Sequence, residues 1–163
     1  MRFAFLVLCA FTVGASAEFL KVEQTFGGMD CASCADFVQK KLTGNPGVQA
    51  VKIDNKKGTL VVELKPGNTV KLRAIRDLVQ QSGYTPKDLR VTVIGTTVVD
   101  RGYTNFKVEG QPEMIRVKDK EGYLRELGNR KARVEGVIET STIDGNRMDF
   151  LVPTKGDAVK GAK

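Results

Sequence analysis

Two cysteines three residues apart, Cys31 and Cys34, lie in the run Gly27-Gly28-Met29-Asp30-Cys31-Ala32-Ser33-Cys34. A cysteine in a loop and a second at a helix start can aim both sulfurs at one point. The helix N-terminus adds partial positive charge and free N–H groups, which favour thiolate over thiol. The chain has no His, so a metal site has to be built from Cys, Met, carboxylate or backbone groups. Two thiolates suit a soft ion that accepts low coordination, Cu(I) or Hg(II), whereas a closed tetrahedral zinc site requires four ligands. The spacing alone also admits a redox pair, half of a zinc site or an ordinary disulfide. Closing so short a loop with a disulfide would stabilise the fold little.

The surrounding residues are assigned plainer roles. Met29 is expected to pack as an apolar side chain, Ser33 to cap the helix, and Asp30 has no assigned role. Met114 and Met148 are single methionines far along the chain, so no methionine metal site is expected. Cys9 falls in a leader: Arg2 supplies a positive start, Phe3 to Val13 an apolar run, and Ala15-Ser16-Ala17 a small-residue cleavage site. That run of about eleven residues is too short to span a bilayer. Residues 1–17 are therefore expected to be a signal peptide. The mature chain would begin near Glu18, periplasmic or secreted, with two cysteines and no membrane span.

The elements that position the pair follow from periodicity. Leu20, Val22 and Phe26 alternate in a first strand, with Gln24 the polar exception on that face. Val38 and Leu42 lie on one helical face with Cys34, and Gly44, Pro46 and Gly47 end that helix. Val48 to Ile53 is a strand, residues 55–58 a turn, and Leu60, Val62 and Leu64 the next strand. Val70, Leu72, Ile75 and Val79 follow a helical period up to Gly83. Leu89, Val91 and Val93 make a fourth strand. The order β-α-β-β-α-β predicts an α+β, ferredoxin-like domain over residues 18–95, with the cysteine loop between the first strand and first helix. Residues 96–155 read as a small all-β domain with strands at Thr97-Val98-Val99, Ile115-Arg116-Val117, 132–138 and 148–152. The run Lys131 to Ile138 gives a weak likeness to an OB barrel. Residues 156–163 read as a flexible tail.

Gly28, Met29, Cys31 and Cys34 match the pattern Gly-Met-x-Cys-x-x-Cys. The segment resembles the heavy-metal-associated domain of copper chaperones, copper-transporting P-type ATPases and the periplasmic mercury-binding protein. Val38, Leu42, the Gly47-Val48 pair and Gly83-Tyr84 fall in the same register, and the resemblance covers about residues 20–94. It implies a two-thiolate site at Cys31 and Cys34 for a soft ion, with Met29 packed under the loop and not ligating. Tyr84 is expected to cover the loop from below. The cofactor implied is Cu(I), or Hg(II), and the partner a copper-transporting or copper-receiving protein.

Thiol–disulfide oxidoreductases use the same cysteine spacing and form the alternative reading. They usually carry an aromatic before the first cysteine and Gly-Pro or Pro-His between the two, and Asp30 and Ala32-Ser33 supply neither. Residues 96–155 hold no Cys, no His and no evident carboxylate pair, so no enzyme activity is expected there. The formal charge of +7 is dispersed, with 12 basic and 8 acidic residues over 18–95 and 11 and 10 over 96–155. It makes no basic stripe of the kind nucleic acid requires. The sequence thus reads as an exported carrier or buffer of one soft ion.

Overall fold

The structure is a computed structural model that describes residues 19–28, 32–108, 111 and 114–159. The expected signal peptide and the site residues Met29 and Cys31 lie outside these described residues, as do Asp30 and the last four residues.

Alternation in the first predicted strand places one face inward: β1 (Phe19–Gly28) buries Val22, Gln24 and Phe26. Gln24, the polar exception, has a structural reason. A β-bulge separates Gln24 from Phe26 in the pairing of β1 with the strand beside it, and the Gln24 amide spans the irregularity. Its Nε2 donates to the carbonyls of Thr25 (2.7 Å), Asp88 (3.1 Å) and Lys87 (3.3 Å).

Helix α1 (Ala32–Thr43) buries Ala35, Val38 and Leu42 along one stripe, and Lys40 and Lys41 sit where the helix dipole favours cations. Strands β2 (Val48–Asp54) and β3 (Thr59–Leu64) form a hairpin. Helix α2 (Leu72–Gln81) buries Ile75 and Val79 and stops at Ser82-Gly83, where Gly83 takes φ +86°. Ahead of α2, buried Asn68 donates to the carbonyls of Phe19 (2.9 Å) and Lys65 (2.8 Å), pinning that segment to the start of β1. With β4 (Tyr84–Asp100), the strand order β2-β3-β1-β4 is antiparallel throughout. It is the ferredoxin-like order expected for this half.

The expected domain boundary between residues 95 and 96 falls inside β4, and Thr97-Val98-Val99 is the end of that strand rather than a new one. Gly95 does not break β4. It lets β5 (Tyr103–Val108) come close, since a Cβ there would sit 2.4 Å from the Lys107 carbonyl oxygen and 2.6 Å from Phe106. Residues 89–93 of β4 pair with β1 on one edge and with β7 (Lys131–Ile143) on the other. Further along, residues 95–100 pair with β5.

The chain continues through β6 (Met114–Val117), α3 (Tyr123–Leu127), β7 and β8 (Asn146–Ala158). Strands β4, β5, β6, β8 and β7 close on themselves, with β6 and β8 parallel and every other pairing antiparallel. The second half is therefore a five-stranded barrel that borrows β4 from the first. Two features differ from expectation. The Lys120-Glu121-Gly122 turn leads into α3, which drives Leu124 into the core and is capped by Asp119, whose Oδ2 accepts from the Leu124 (2.9 Å) and Arg125 (3.1 Å) amides. Residues 156–158, expected to be tail, extend β8 against β7.

One continuous apolar cluster runs from Val22, Val38 and Leu60 through Leu89 and Val93 to Phe106, Val134 and Leu151. The substitution Asp119→Ala is expected to lower unfolding free energy by about 1 kcal/mol through loss of the cap. Urea denaturation measures it, and an unchanged midpoint would remove the capping role.

Candidate metal centre

Cys34 occupies the third position of α1, half-buried and packed against the core cluster. Ser33, expected ahead of the helix as its cap, lies inside the first turn as the second residue of α1. Cys34 is disulfide-bonded. Among the described residues no group of three or more His, Cys, Asp or Glu side chains converges on a point. They supply Cys34 with no His or carboxylate cluster to complete a high-coordination site.

The floor of this end of the molecule is well defined. Gly28, the last residue before the cysteine loop, has φ +123°, a conformation that L side chains rarely adopt. It pairs across the sheet with Tyr84. A Cβ at Gly28 would lie 3.4 Å from the Gly83 carbonyl and 3.5 Å from the Tyr84 Cα, so strand and loop base approach closely here. Tyr84 is buried, with its ring 4.4 Å from that of Phe26 and tilted by 47°. Its hydroxyl donates to Asn55 Oδ1 at 3.2 Å. Tyr84 thereby joins the strand end bearing the loop to the β2–β3 turn. That turn is itself tied in, since the Phe26 amide donates to the Gly58 carbonyl at 2.8 Å and Gly58 has φ +61°.

Two further placements were not legible in the sequence. Lys87 lies across Gly27, its Cε 2.8 Å from where a Cβ would stand, which puts a cation beside the approach to the loop. Gly27 is the signal, because a glycine on an otherwise side-chain-bearing strand marks a close approach. Met114 and Met148, expected to lie apart, line one cavity in the barrel half. Parallel pairing of β6 with β8 brings together two residues 34 positions apart, a match that the spacing of either strand cannot reveal.

Comparisons with known proteins bear on the first half. Residues 25–85 match the heavy-metal-associated domain. Among solved structures, a copper binding domain from HMA7, a P-type ATPase, is 23% identical, over 43% of this chain and 90% of that one, at a TM-score of 0.35. The yeast copper transporter domain Ccc2a, described in apo and Cu(I)-loaded states, is 20% identical over 42% and 92%, at 0.38. The N-terminal domain of PacS from Synechocystis PCC6803 is 24% identical over 41% and 92%, at 0.34. No curated protein matches the chain. No helix among the described residues is long and apolar enough to cross a membrane. With Gly28 and Tyr84 paired at the base of the cysteine loop and Cys34 in the first turn of the following helix, residues 25–85 are similar to the heavy-metal-associated domain.

Proposed function

We propose that the protein is an exported carrier or buffer of one soft ion, Cu(I) or Hg(II), held between the thiolates of Cys31 and Cys34. The observation that carries this reading is the placement of Cys34 in the first turn of α1 directly after the Gly28–Tyr84 close approach, within a segment matching a metal-binding family. Export rests on the leader pattern of residues 1–17.

In this reading the disulfide at Cys34 is the resting oxidised form, and two electrons from an external thiol reductant open it to two thiolates. The ion then sits between the sulfurs. The anionic bis-thiolate centre gains from the Lys87 ammonium near Gly27 and from the amides at the start of α1. Met29 and Tyr84 act as packing under the loop, not as ligands. Hand-over proceeds by ligand exchange: a thiolate or thioether of a copper-receiving or copper-transporting protein joins the ion before Cys31 or Cys34 leaves. A two-ligand centre suits that path because its coordination can rise to three without first losing a bond.

The disulfide at Cys34 also favours a second reading, a thiol–disulfide oxidoreductase using the same pair. The experiment that separates them is Cu(I) titration of the reduced full-length mature chain against a strong Cu(I) chelator, beside an assay of disulfide exchange on a model substrate. One Cu(I) per chain, held against the chelator and with negligible turnover, is the expected result. Efficient exchange, with Cu(I) bound no better than by a small dithiol, would replace the carrier with the enzyme.

A further inference from the structure

The barrel has two unlike ends. At one, α3 covers the opening, with Leu124 fully buried and Leu127 and Leu124 packed against Gly156 near the end of β8. At the other, where β8 and β6 begin and β5 ends, α2 lies over the mouth and leaves a cavity of about 430 Å³. Barrel mouths are recurrent small-molecule sites, and ligand cavities start near 300 Å³.

The lining divides into two kinds of surface. Phe19, Leu72, Val108 and Ile138 form an apolar wall, which Met114 and Met148 extend as flexible, adaptable side chains. Around it stand Lys71, Arg73, Arg116 and Arg147, against a single lining carboxylate among the described residues, Asp149. That carboxylate is already engaged, accepting from the Thr140 hydroxyl at 2.6 Å. Arg73 is drawn to Asp77 at 3.7 Å on the exposed side of α2. Lys71 and Arg147 make no side-chain hydrogen bond or ion pair with the described residues. The Arg116 guanidinium lies 4.0 Å from the Tyr103 ring centroid, a cation–π contact that steadies it. The first turn of α2 contributes no acidic side chain. Four cations would repel a bare metal ion, so the two thioethers read as wall, not as ligands.

We propose that this mouth binds a small anionic amphiphile, a single acyl or alkyl chain against the apolar wall with a carboxylate or phosphate head among Lys71, Arg73, Arg116 and Arg147. Charge complementarity selects the head, and the volume limits the tail to one short chain. The site lies toward the Phe19 end of β1, remote from the cysteine loop after Gly28, so its occupancy does not require the metal.

The test is calorimetric titration of the full-length mature chain with laurate and with dodecyl phosphate below their micellar concentrations. One molecule per chain with micromolar affinity is expected, and the tighter of the two identifies the head group. Dodecanol and inorganic phosphate, each lacking half of the recognised chemistry, should bind at least about tenfold more weakly. Arg116→Gln combined with Arg147→Gln, on exposed or half-exposed side chains, should weaken laurate binding by about tenfold or more without shifting the melting curve. Met148→Glu, which sets a like charge against the tail, should do the same and serves if the arginine variant is unstable. The proposal is overturned if neither amphiphile saturates, if dodecanol binds as tightly, if both variants bind undiminished, or if hexaglutamate binds more tightly than laurate.

Discussion

Replacing both Cys31 and Cys34 with Ser is expected to abolish chelator-resistant Cu(I) binding by the reduced chain, weakening it at least about a thousandfold, or ~4 kcal/mol. Hydroxyl oxygen is a hard, weakly basic donor, so no soft two-coordinate centre survives the change. The fold should persist, because Cys34 is only half-buried at a helix start and its loss removes a small part of the core. A melting temperature within a few degrees of the parent would show that. Either single replacement should leave weak, exchangeable binding through one thiolate. Binding by the parent should fall as pH falls, since protons compete with the ion for both sulfurs. A double variant that still holds one Cu(I) per chain against the chelator would place the ion elsewhere.

The second large effect is structural. Gly95→Val should cost more than about 3 kcal/mol, because its Cβ would overlap the Lys107 carbonyl oxygen and the Phe106 ring, and β5 cannot retreat without opening the barrel. Gly95→Ala brings the same Cβ contacts without the two further methyl groups of valine, so it should cost less. Urea unfolding followed by circular dichroism tests both size and cooperativity. Because the core is continuous from Val38 to Leu151, a single transition is expected to move as a whole. A variant whose helical signal survives at parental urea concentrations while the barrel melts would show two independent units.

The first half of the fold was legible because its signals are local. Val38 and Leu42 mark one helix face, Ile75 and Val79 another, and Leu60, Val62 and Leu64 a strand with one buried side. The second half was legible only in pieces. The β7–β8 hairpin announces itself through Asp144-Gly145, both with positive φ, a dipeptide suited to a two-residue hairpin. The β4–β5 hairpin turns in the same way at Arg101-Gly102, with φ 49° and 78°. Arginine seldom occupies such a position, so the turn did not declare itself and β5 went unread. Helix α3 is five residues long, too short for a period, and its cap at Asp119 stands several residues ahead of it. The candidate metal site reads as a motif at Gly28, Met29, Cys31 and Cys34, with Tyr84 beneath it, but the contacts made at its base do not show in the sequence. Lys87 over Gly27, and the Tyr84 hydroxyl on Asn55, depend on pairings between residues 29 to 60 positions apart.

The shared sheet also sets a reach. β1 is ten residues long, so its ends stand about 30 Å apart at the usual strand rise. Gly28 at one end opens onto the cysteine loop, and Phe19 at the other walls the barrel mouth. β4 carries the chain from one half to the other in unbroken ladder, with no tether between them. A surface that grips the barrel mouth therefore stands at a set distance and bearing from Gly28, with none of the positional spread of a flexibly linked unit. In the proposed carrier reading, a receiving site located about 30 Å away would meet the ion at high effective concentration. One located elsewhere gains nothing from the grip.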